Sequence, residues 1–368
     1  MKKVKLGEVA TFINGYAFKP QAWSSEGKEI IRIQNLTKTS KEINYYSGTI
    51  DKKYIVEDGD ILISWSGTLG VFQWCGKSAV LNQHIFKVVF DKMDIDKSYF
   101  KYVVEKGLQD AIKHTHGSTM KHLTKKYFDN IMVSYTNLRE QQRIASELDL
   151  LSKLILRRQE QLEEFNILVK SRFNEMFGSK KFDKVSISEL VDDRIETAKK
   201  IFDQHDTIKY IDISSIDNKN YKMTGFQEYM LNQAPSRAQQ HIRKGDIVVS
   251  TVRPNLKNIA ITELDDENLV ASSGFCVLRA LKCLPEYLFA IICSDRFTNK
   301  MTNIVTGANY PAIKSSDIMN YIVPLPPIQL QNEFAEFVAQ VDKSQLAIQK
   351  SLEELETLKK SLMQEYFG

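Results

Sequence analysis

The chain contains 368 residues, of which 43% are hydrophobic, and its formal net charge is +4 at pH 7. This length predicts two or more domains rather than one core, and the small positive charge permits an anionic partner without requiring one. Four cysteines without CxxC spacing argue against a zinc site or a disulfide scaffold, and no apolar run is long enough for a signal peptide or a membrane span, which favours a cytoplasmic protein.

The first part of the chain alternates short β-branched runs with Gly, Asn and Asp. Runs at 30–36, 60–64 and 85–90 are typical of strands, and a helical stretch follows near 99–114. We therefore predict an α/β or α+β globular domain with a mixed sheet. The pattern does not fix the order of the strands.

Two aspartates flank Gly59 just before the second of these strands. Asp58 and Asp60 could be considered as a carboxylate pair, but a Gly-Asp step more commonly forms a turn in which the aspartate bonds local backbone. We therefore predict a glycine turn that leads into a buried strand, and no catalytic role.

The segment 113–126 (KHTHGSTMKHLTKK) is basic and contains no acidic residue. Basic loops with hydroxyl groups suit phosphates and base edges, although an ordinary solvated surface is the alternative. His114, His116 and His122 could be imagined as metal ligands, but the neighbouring lysines would repel a cation. We predict no metal site here.

A long helix is predicted over residues 138–177, where no Pro or Gly occurs and apolar residues recur at heptad spacing. Asn137 is the candidate N-cap, Glu140 its capping-box partner and Gly178 the C-terminal stop. About 40 residues would give a helix roughly 60 Å long. Such a helix outruns a domain of about 110 residues, whose diameter is nearer 30 Å.

The second half of the chain repeats the first. The matching segments keep their order along the chain and differ only slightly in spacing, which predicts a tandem duplication of a unit of about 180 residues that ends in Phe-Gly. The matches are KVKLGE (3–8) with KVSISE (184–189), GDILIS (59–64) with GDIVVS (245–250), and FNEMFG (173–178) with MQEYFG (363–368).

The repeat predicts a second long helix after Pro326 and Pro327. A narrow apolar seam needs a partner, and each helix could pack on its own globular domain. We favour the pairing of the two helices in antiparallel orientation, with the globular domains at opposite ends of a rod. The predicted interface residues are Leu148, Leu151, Ile155, Leu162, Phe165, Val169, Val338, Val341, Ile348, Leu352, Leu355 and Leu362.

Candidate DNA contacts follow the shared strand and the basic loops, where cations, hydroxyl groups, amides and aromatic rings occur together. Trp65 could stack on a base or lie in the core. The candidates are Trp65, Ser66, Thr68, Lys113, Ser118, Thr119, Lys121, Lys125, Arg237, Arg243, Arg253, Asn255, Lys257, Asn309 and Lys314.

No catalytic constellation was found. The chain contains no GxxxxGK[ST] loop, no HExxH and no motif of a metal-dependent nuclease. We therefore predict neither catalytic residues nor a resident cofactor.

Two variable α/β repeats that open like KLGEV, pass through GDILIS and a Gly-Ser-Thr turn, and close with a REQQRI helix resemble the specificity subunits of Type I restriction-modification enzymes. The resemblance covers essentially the whole chain. It implies two target-recognition domains, residues 1–137 and 179–327, and two long antiparallel spacer helices, residues 138–178 and 328–368. Each domain would read one half of a split DNA site.

The resemblance also implies partners. Two methyltransferase subunits would bind S-adenosylmethionine and methylate adenine, and ATP-dependent restriction subunits would cut the DNA. S-adenosylmethionine, ATP and Mg are therefore expected on the partner subunits and not on this chain, which would be the non-catalytic DNA-reading part.

The two repeats depart from the family pattern at different places. GSTMKHL (117–123) becomes GANYPAI (307–313), and REQQRI (139–144) becomes IQLQNEF (328–334). The segments that follow the shared strand also differ, which predicts two unlike half-sites. A coiled-coil adaptor without DNA reading, a recognition subunit of another defence system and a silent recombination cassette remain open alternatives.

Overall fold

The structure is a computed structural model that describes residues 1–114, 124–178, 180–192, 194–307 and 311–368, with side chains as far as Ala111 in the first of these segments. The chain forms two compact units. The first unit consists of Met1–Glu160 and Gln349–Gly368, and the second of Gln161–Ile348.

The first unit contains ten strands, four short or medium helices and the start of a long helix within the described residues. In chain order these are β1 (Lys2–Lys5), α1 (Leu6–Val9), β2 (Thr11–Asn14), β3 (Lys28–Ile31), α2 (Ile33–Leu36), β4 (Tyr45–Tyr46), β5 (Ile55–Val56), β6 (Ile61–Ser64), β7 (Gly70–Gln73), β8 (Ala79–Leu81), β9 (Ile85–Val89), α3 (Lys97–His114), α4 (Lys125–Asp129), β10 (Met132–Tyr135) and α5 (Leu138–Phe173).

Two four-stranded sheets form the body of the first unit, in the orders β2-β9-β6-β7 and β4-β3-β8-β5. The β3–β8 pair is parallel and the other pairs are antiparallel. Both faces of β6 are buried. Ile61 and Ile63 face a core shared with α3 and α5, while Leu62 faces a core between the sheets, because side chains alternate along a strand.

The elements of the second unit repeat the strand order of the first, with different short helices and an added hairpin. They are β11 (Asp183–Ser186), β12 (Val191–Asp192), α6 (Ala198–Ile201), β13 (Thr207–Ile211), β14 (Ile216–Asp217), β15 (Lys222–Met223), β16 (Gln227–Met230), β17 (Ala238–His241), β18 (Ile247–Ser250), β19 (Ile259–Ile261), β20 (Leu269–Ser272), β21 (Phe275–Ala280), α7 (Pro285–Ile292), α8 (Asp295–Thr302), α9 (Ser315–Met319), β22 (Ile322–Leu325) and α10 (Ile328–Phe367).

The sheet orders of the second unit, β12-β21-β18-β19 and β16-β13-β20-β17, repeat those of the first strand for strand. The parallel pair, β13–β20, recurs at the same position. The predicted tandem duplication of mixed α/β units is therefore confirmed. The β14–β15 hairpin is an addition, since no strand or helix is assigned between α2 and β4 at the corresponding place in the first unit.

The predicted glycine turn occurs in both units. Gly59 has a φ of +83° and Gly245 a φ of +87°, conformations that favour glycine. Asp60 and Asp246 each accept the backbone N–H of the residue three positions earlier at 2.8 Å. The aspartates therefore stabilise the turn, as the sequence predicted.

The first long helix begins where the sequence predicted. Asn137 Oδ1 accepts the N–H of Glu140 at 3.0 Å, which is an N-cap bond. The carboxylate of Glu140 is bound by Arg143, at 3.0 and 2.7 Å, so its predicted capping-box role is replaced by an ion pair. α5 ends at Phe173 and a π-helical turn, Asn174–Gly178, follows it.

The heptad seam is covered along both helices. Every predicted interface residue is buried or half-buried, namely Leu148, Leu151, Ile155, Leu162, Phe165, Val169, Val338, Val341, Ile348, Leu352, Leu355 and Leu362.

The helices pair in antiparallel orientation within each unit. In the second unit Gln345 Nε2 donates to Asn166 Oδ1 at 3.1 Å, and the Arg172 guanidinium lies 5.8 Å from the ring centre of Phe337. In the first unit the hydroxyl of Tyr366 donates to Glu147 at 2.6 Å. The favoured prediction, antiparallel pairing of the two long helices, therefore holds within each unit.

The alternative prediction, packing on a globular core, also applies to part of α5. Leu148 lies in the same core as Phe100 and Met363 of the first unit. The seam of α5 therefore packs both on the globular core and on the paired helix in this unit.

The Phe-Gly end of each long helix packs against a buried tyrosine. Phe367 meets Tyr99 edge-on in the first unit, with ring centres 5.4 Å apart, and Phe177 meets Tyr287 in the second, at 5.0 Å. Each unit therefore takes its terminal phenylalanine from the helix that belongs to the other sequence repeat.

Candidate nucleic-acid interface

Several candidate residues of the second unit lie on loops that meet at the C-terminal end of β18. Thr251 N–H donates to Gly274 O at 3.0 Å, Arg253 N–H to Pro311 O at 2.8 Å and Ile313 N–H to Thr251 O at 2.9 Å. Segments far apart in sequence are thus joined by main-chain bonds. We call residues 251–257, 272–274 and 311–314, together with Arg237, the second-unit face.

Arg237 joins this face through the backbone, because Ser273 N–H donates to Arg237 O at 2.8 Å. Arg237, Arg253, Asn255 and Lys314 are all exposed. The structure therefore brings together four of the predicted contacts. Guanidinium and amide groups are the side chains that most often read base edges, and a lysine suits a phosphate.

The loop that carries Arg253 is fixed and strained. Arg253 (φ +50°) and Lys257 (φ +53°) are left-handed at the two ends of a 3₁₀ turn, Pro254–Leu256. Such conformations are unfavourable for non-glycine residues and concentrate at functional sites. The amide of Asn218, in the β14–β15 connection, donates to Leu256 O at 2.9 Å and braces the loop.

Lys257 has a different role from the one the sequence suggested. Its ammonium pairs with Asp295 at 2.5 Å, and its side chain is only 19% exposed. The hydrogen bond from Lys257 lowers the pKa of the Asp295 carboxyl. Lys257 therefore anchors the loop internally, because its aliphatic stem is covered and its charge is paired.

Arg243 lies away from the second-unit face. It lies between β17 and β18, whereas Arg237 precedes β17 and Arg253 follows β18, so it is at the opposite end of these strands. Its guanidinium pairs with Glu196 at 2.6 Å. The order of the three arginines along the sequence does not reveal that Arg243 is separated from the other two. That separation follows from the directions in which β17 and β18 run.

Two predicted residues of the first unit are held inside the fold. The Trp65 indole N–H donates to Asn14 Oδ1 at 3.0 Å, and its ring stacks on Phe86 with centres 5.6 Å apart. Ser66 is only 7% exposed. Thr68 is exposed, whereas Trp65 is half-buried.

Lys125 is also exposed, in the first turn of α4 after the capping residue Thr124. The remaining predicted contacts, Ser118, Thr119, Lys121 and Asn309, lie outside the described residues, as does the side chain of Lys113.

Sequence reasoning missed the connection between β8 and β9, residues 82–84. Tyr16 N–H donates to Leu81 O at 2.8 Å and Gln83 N–H donates to Tyr16 O at 2.9 Å. A Cβ on Gly15 would approach the carbonyl oxygen of Asn82 to 1.9 Å, so only glycine allows this close contact. The sequence feature that could have indicated this contact is a glycine followed by an aromatic residue, Gly15 and Tyr16, directly after a strand.

The 82–84 connection forms one surface with the exposed residues Asn14 and Tyr16, which we call the first-unit face. It occupies the position of residues 272–274 in the second-unit face, because β8–β9 and β20–β21 are equivalent connections. The same end of the same sheets therefore carries polar side chains in both units.

No group of three His, Cys, Asp or Glu residues in the described parts of the chain could hold a metal ion. The four cysteines are free thiols, and burial raises the pKa of Cys276 and Cys283 to about 11. None of the described helices is long and apolar enough to span a membrane.

Comparison with known proteins identifies a family and a fold. A family model described as the Type I restriction modification DNA specificity domain matches residues 1–164 and again 179–358. The chain is 25% identical over 340 residues to the Type I restriction enzyme MjaVIII specificity subunit of Methanocaldococcus jannaschii, covering 85% of this chain and 79% of that protein.

A second relative, the Type I restriction enzyme EcoBI specificity subunit of Escherichia coli, is 23% identical over 405 residues, covering 99% of this chain and 85% of the relative. The crystal structure of a Type I restriction-modification system S subunit from M. genitalium matches 100% of this chain and 96% of its own, with a TM-score of 0.58 and 15% identity. The fold is therefore shared over the full length.

Proposed function

The chain belongs to the Type I restriction-modification DNA specificity family, and we propose that it reads a bipartite, asymmetric DNA site for partner methyltransferase and restriction subunits. One observation carries this proposal. Each unit presents a set of fixed polar loops at the same end of the same pair of sheets, and the chemistry of these loops differs between the units.

The second-unit face supports the reading of a guanine-containing half-site. Arg237 and Arg253 are exposed on it, beside the amide of Asn255. An arginine that donates two hydrogen bonds to O6 and N7 of guanine is the commonest base-specific contact in the major groove. Lys314 and the basic residue Lys125 of the first unit are suited to phosphates, which position the protein without carrying sequence information.

The first-unit face supports a different half-site, because its exposed groups are amides and an aromatic ring. Asn14 and Gln83 are exposed, as is 47% of Tyr16. No arginine lies among the residues that define this face. Two unlike faces on one duplicated scaffold favour a site whose two halves have different sequences.

The proposal assigns the chemistry to other subunits. This chain would supply recognition alone, and the partners would bind S-adenosylmethionine, ATP and Mg and carry out adenine methylation and cleavage. The relatives are named as specificity subunits of Type I restriction enzymes, which supports this division of labour. The protein would act where chromosomal DNA is accessible, in the cytoplasm.

The test is to express the chain with an adenine methyltransferase encoded beside it and to map every methylated adenine in the host genome. We expect one bipartite motif with two unlike halves. Replacing residues 251–257 by residues 65–69 should change one half of the motif and leave the other unchanged. Methylation or DNA binding without sequence preference would instead support the adaptor alternative.

A further inference from the structure

The β8–β9 connection of the first unit presents one exposed amide side chain on a rigid base. Gln83 is exposed, and in the described part of the chain only its backbone N–H is hydrogen-bonded. The flanking residues are fixed, since Asn82 N–H donates to Ile31 O at 3.3 Å and Gly15 N–H donates to Ile85 O at 3.0 Å. The amide is therefore exposed to a ligand while the main chain around it is hydrogen-bonded.

Backbone strain marks this connection. His84 is left-handed, with a φ of +71°, a conformation that is uncommon for a residue with a side chain and that persists where the surroundings impose it. Its ring packs edge-on against Trp65, with ring centres 4.9 Å apart. Other left-handed non-glycine residues in the described chain are Lys38 in the first unit and Tyr221, Arg253 and Lys257 in the second. The β8–β9 connection has such a residue in the first unit only, whereas Arg253 and Lys257 place theirs on the β18–β19 connection of the second unit.

The neighbouring rings form a fixed wall beside the amide. Tyr16 packs edge-on against Phe18 and Tyr54, with ring centres 5.1 and 5.5 Å apart, and remains 47% exposed. The ammonium of Lys53 lies 4.9 Å from the ring centre of Tyr54 and pairs with Asp51 at 3.3 Å. An exposed amide and an apolar ring edge on one surface match a base edge and a thymine methyl group in the major groove.

We propose that Gln83 is a specificity-determining residue of the first unit and that it reads an adenine in the major groove. Its carboxamide oxygen would accept from N6 of the adenine while its NH₂ group donates to N7, the pairing that glutamine makes with this base. This inference rests on the proposed function. It adds that the two units read DNA through non-equivalent connections, β8–β9 in the first and β18–β19 in the second.

The equivalent connection of the second unit lacks the chemistry for such reading. Residues 272–274 are Ser-Ser-Gly, which carry no amide. The hydroxyl of Ser272 is already engaged by the N–H of Gly274, at 3.2 Å. The base-reading groups of the second unit therefore lie on the neighbouring loop, which the β14–β15 hairpin braces.

The test compares Gln83→Ala, Gln83→Glu and the control Gln73→Ala in the complex of the full chain with its methyltransferase subunits. Gln73 is an exposed glutamine at the other end of the same sheet, opposite Ile61. A randomised duplex library is selected for binding and sequenced. Gln83→Ala should lower the preference for adenine at one base pair of one half-site by roughly 5- to 150-fold.

Gln83→Glu should also lose the adenine preference, because a carboxylate cannot donate to N7, and Gln73→Ala should retain every preference. The other half-site should be unchanged in all three variants. If Gln83→Ala retains the adenine preference at every position, the inference is wrong. If the unmodified complex selects no sequence, the proposed function itself fails, so the two failures are distinct.

Discussion

The two units share their buried polar contacts and differ in their exposed loops. Asp60, in the turn before β6, pairs with Lys87 of β9, and Asp246, in the turn before β18, pairs with Arg279 of β21, each at 2.7 Å. The connections that follow these strands have unrelated chemistry. A duplicated scaffold can diverge in this way because loops tolerate change that buried polar groups do not.

The aspartate of this ion pair is more deeply buried in the second unit than in the first. Removing its cationic partner in the second unit should therefore give the largest loss of stability. The side chain of Asp246 is 2% exposed, and that of Asp60 is 22% exposed. Arg279→Met would leave a buried carboxylate unpaired and should lower the free energy of unfolding by about 3–5 kcal/mol. Lys87→Met should cost about 1 kcal/mol, because water can reach Asp60. Urea unfolding measures both, and equal losses would contradict this assignment of burial.

A second contact that both units share should contribute equally to the stability of each unit. Gln141 and Gln331 are buried at the start of the long helices, and each accepts a backbone N–H, from Asp96 at 2.8 Å and from Leu284 at 2.9 Å respectively. Gln141→Leu and Gln331→Leu should each cost about 1–3 kcal/mol, since a backbone donor loses its partner. Unfolding curves that differ strongly between the variants would show that the contact is not equivalent.

Substitutions in the exposed loops should change the base preference of only one half-site. Arg253→Ala should reduce discrimination at one base pair of one half-site by about 1–3 kcal/mol, if the arginine reads a guanine. The control is Lys244→Ala, because Lys244 is an exposed cation at the other end of β18. Binding of the assembled complex to single-base variants of its site measures the change. A uniform loss across all sequences would instead assign Arg253 to a phosphate.

The smallest effect concerns the anchor of the Arg253 loop. The pKa of Asp295 is lowered by its hydrogen bond from Lys257, so this pair stabilises the folded state above the ordinary pKa of a carboxyl. The stabilisation is lost as the pH falls through the lowered pKa. Asp295→Asn should cost a few tenths of a kcal/mol at pH 7, because the carboxylate is largely exposed. At a pH below this lowered pKa, the variant and the parent should have the same stability in urea unfolding.

The two repeats are more alike in their buried hydrogen bonds than their sequence motifs indicate. The segments REQQRI of the first repeat and IQLQNEF of the other share few residues, yet Gln141 and Gln331 make the same pair of contacts. Gln141 also donates to Thr136 O and Gln331 to Pro326 O. The two segments differ at exposed positions and at the buried pair Ile144 and Phe334, and none of these side chains takes part in the hydrogen bonds of the glutamines.

The duplication, the glycine turns, the start of α5 at Leu138 and the helix seam could be predicted from the sequence alone. These features depend on neighbouring residues or on a short period, so a linear pattern contains them. Which polar residues face solvent depends on tertiary contacts that no linear pattern contains. Lys257 finds its partner in Asp295 and Gln83 is presented by Gly15 and Tyr16. Such contacts join distant segments, and the strand order that creates them is not encoded in any local pattern.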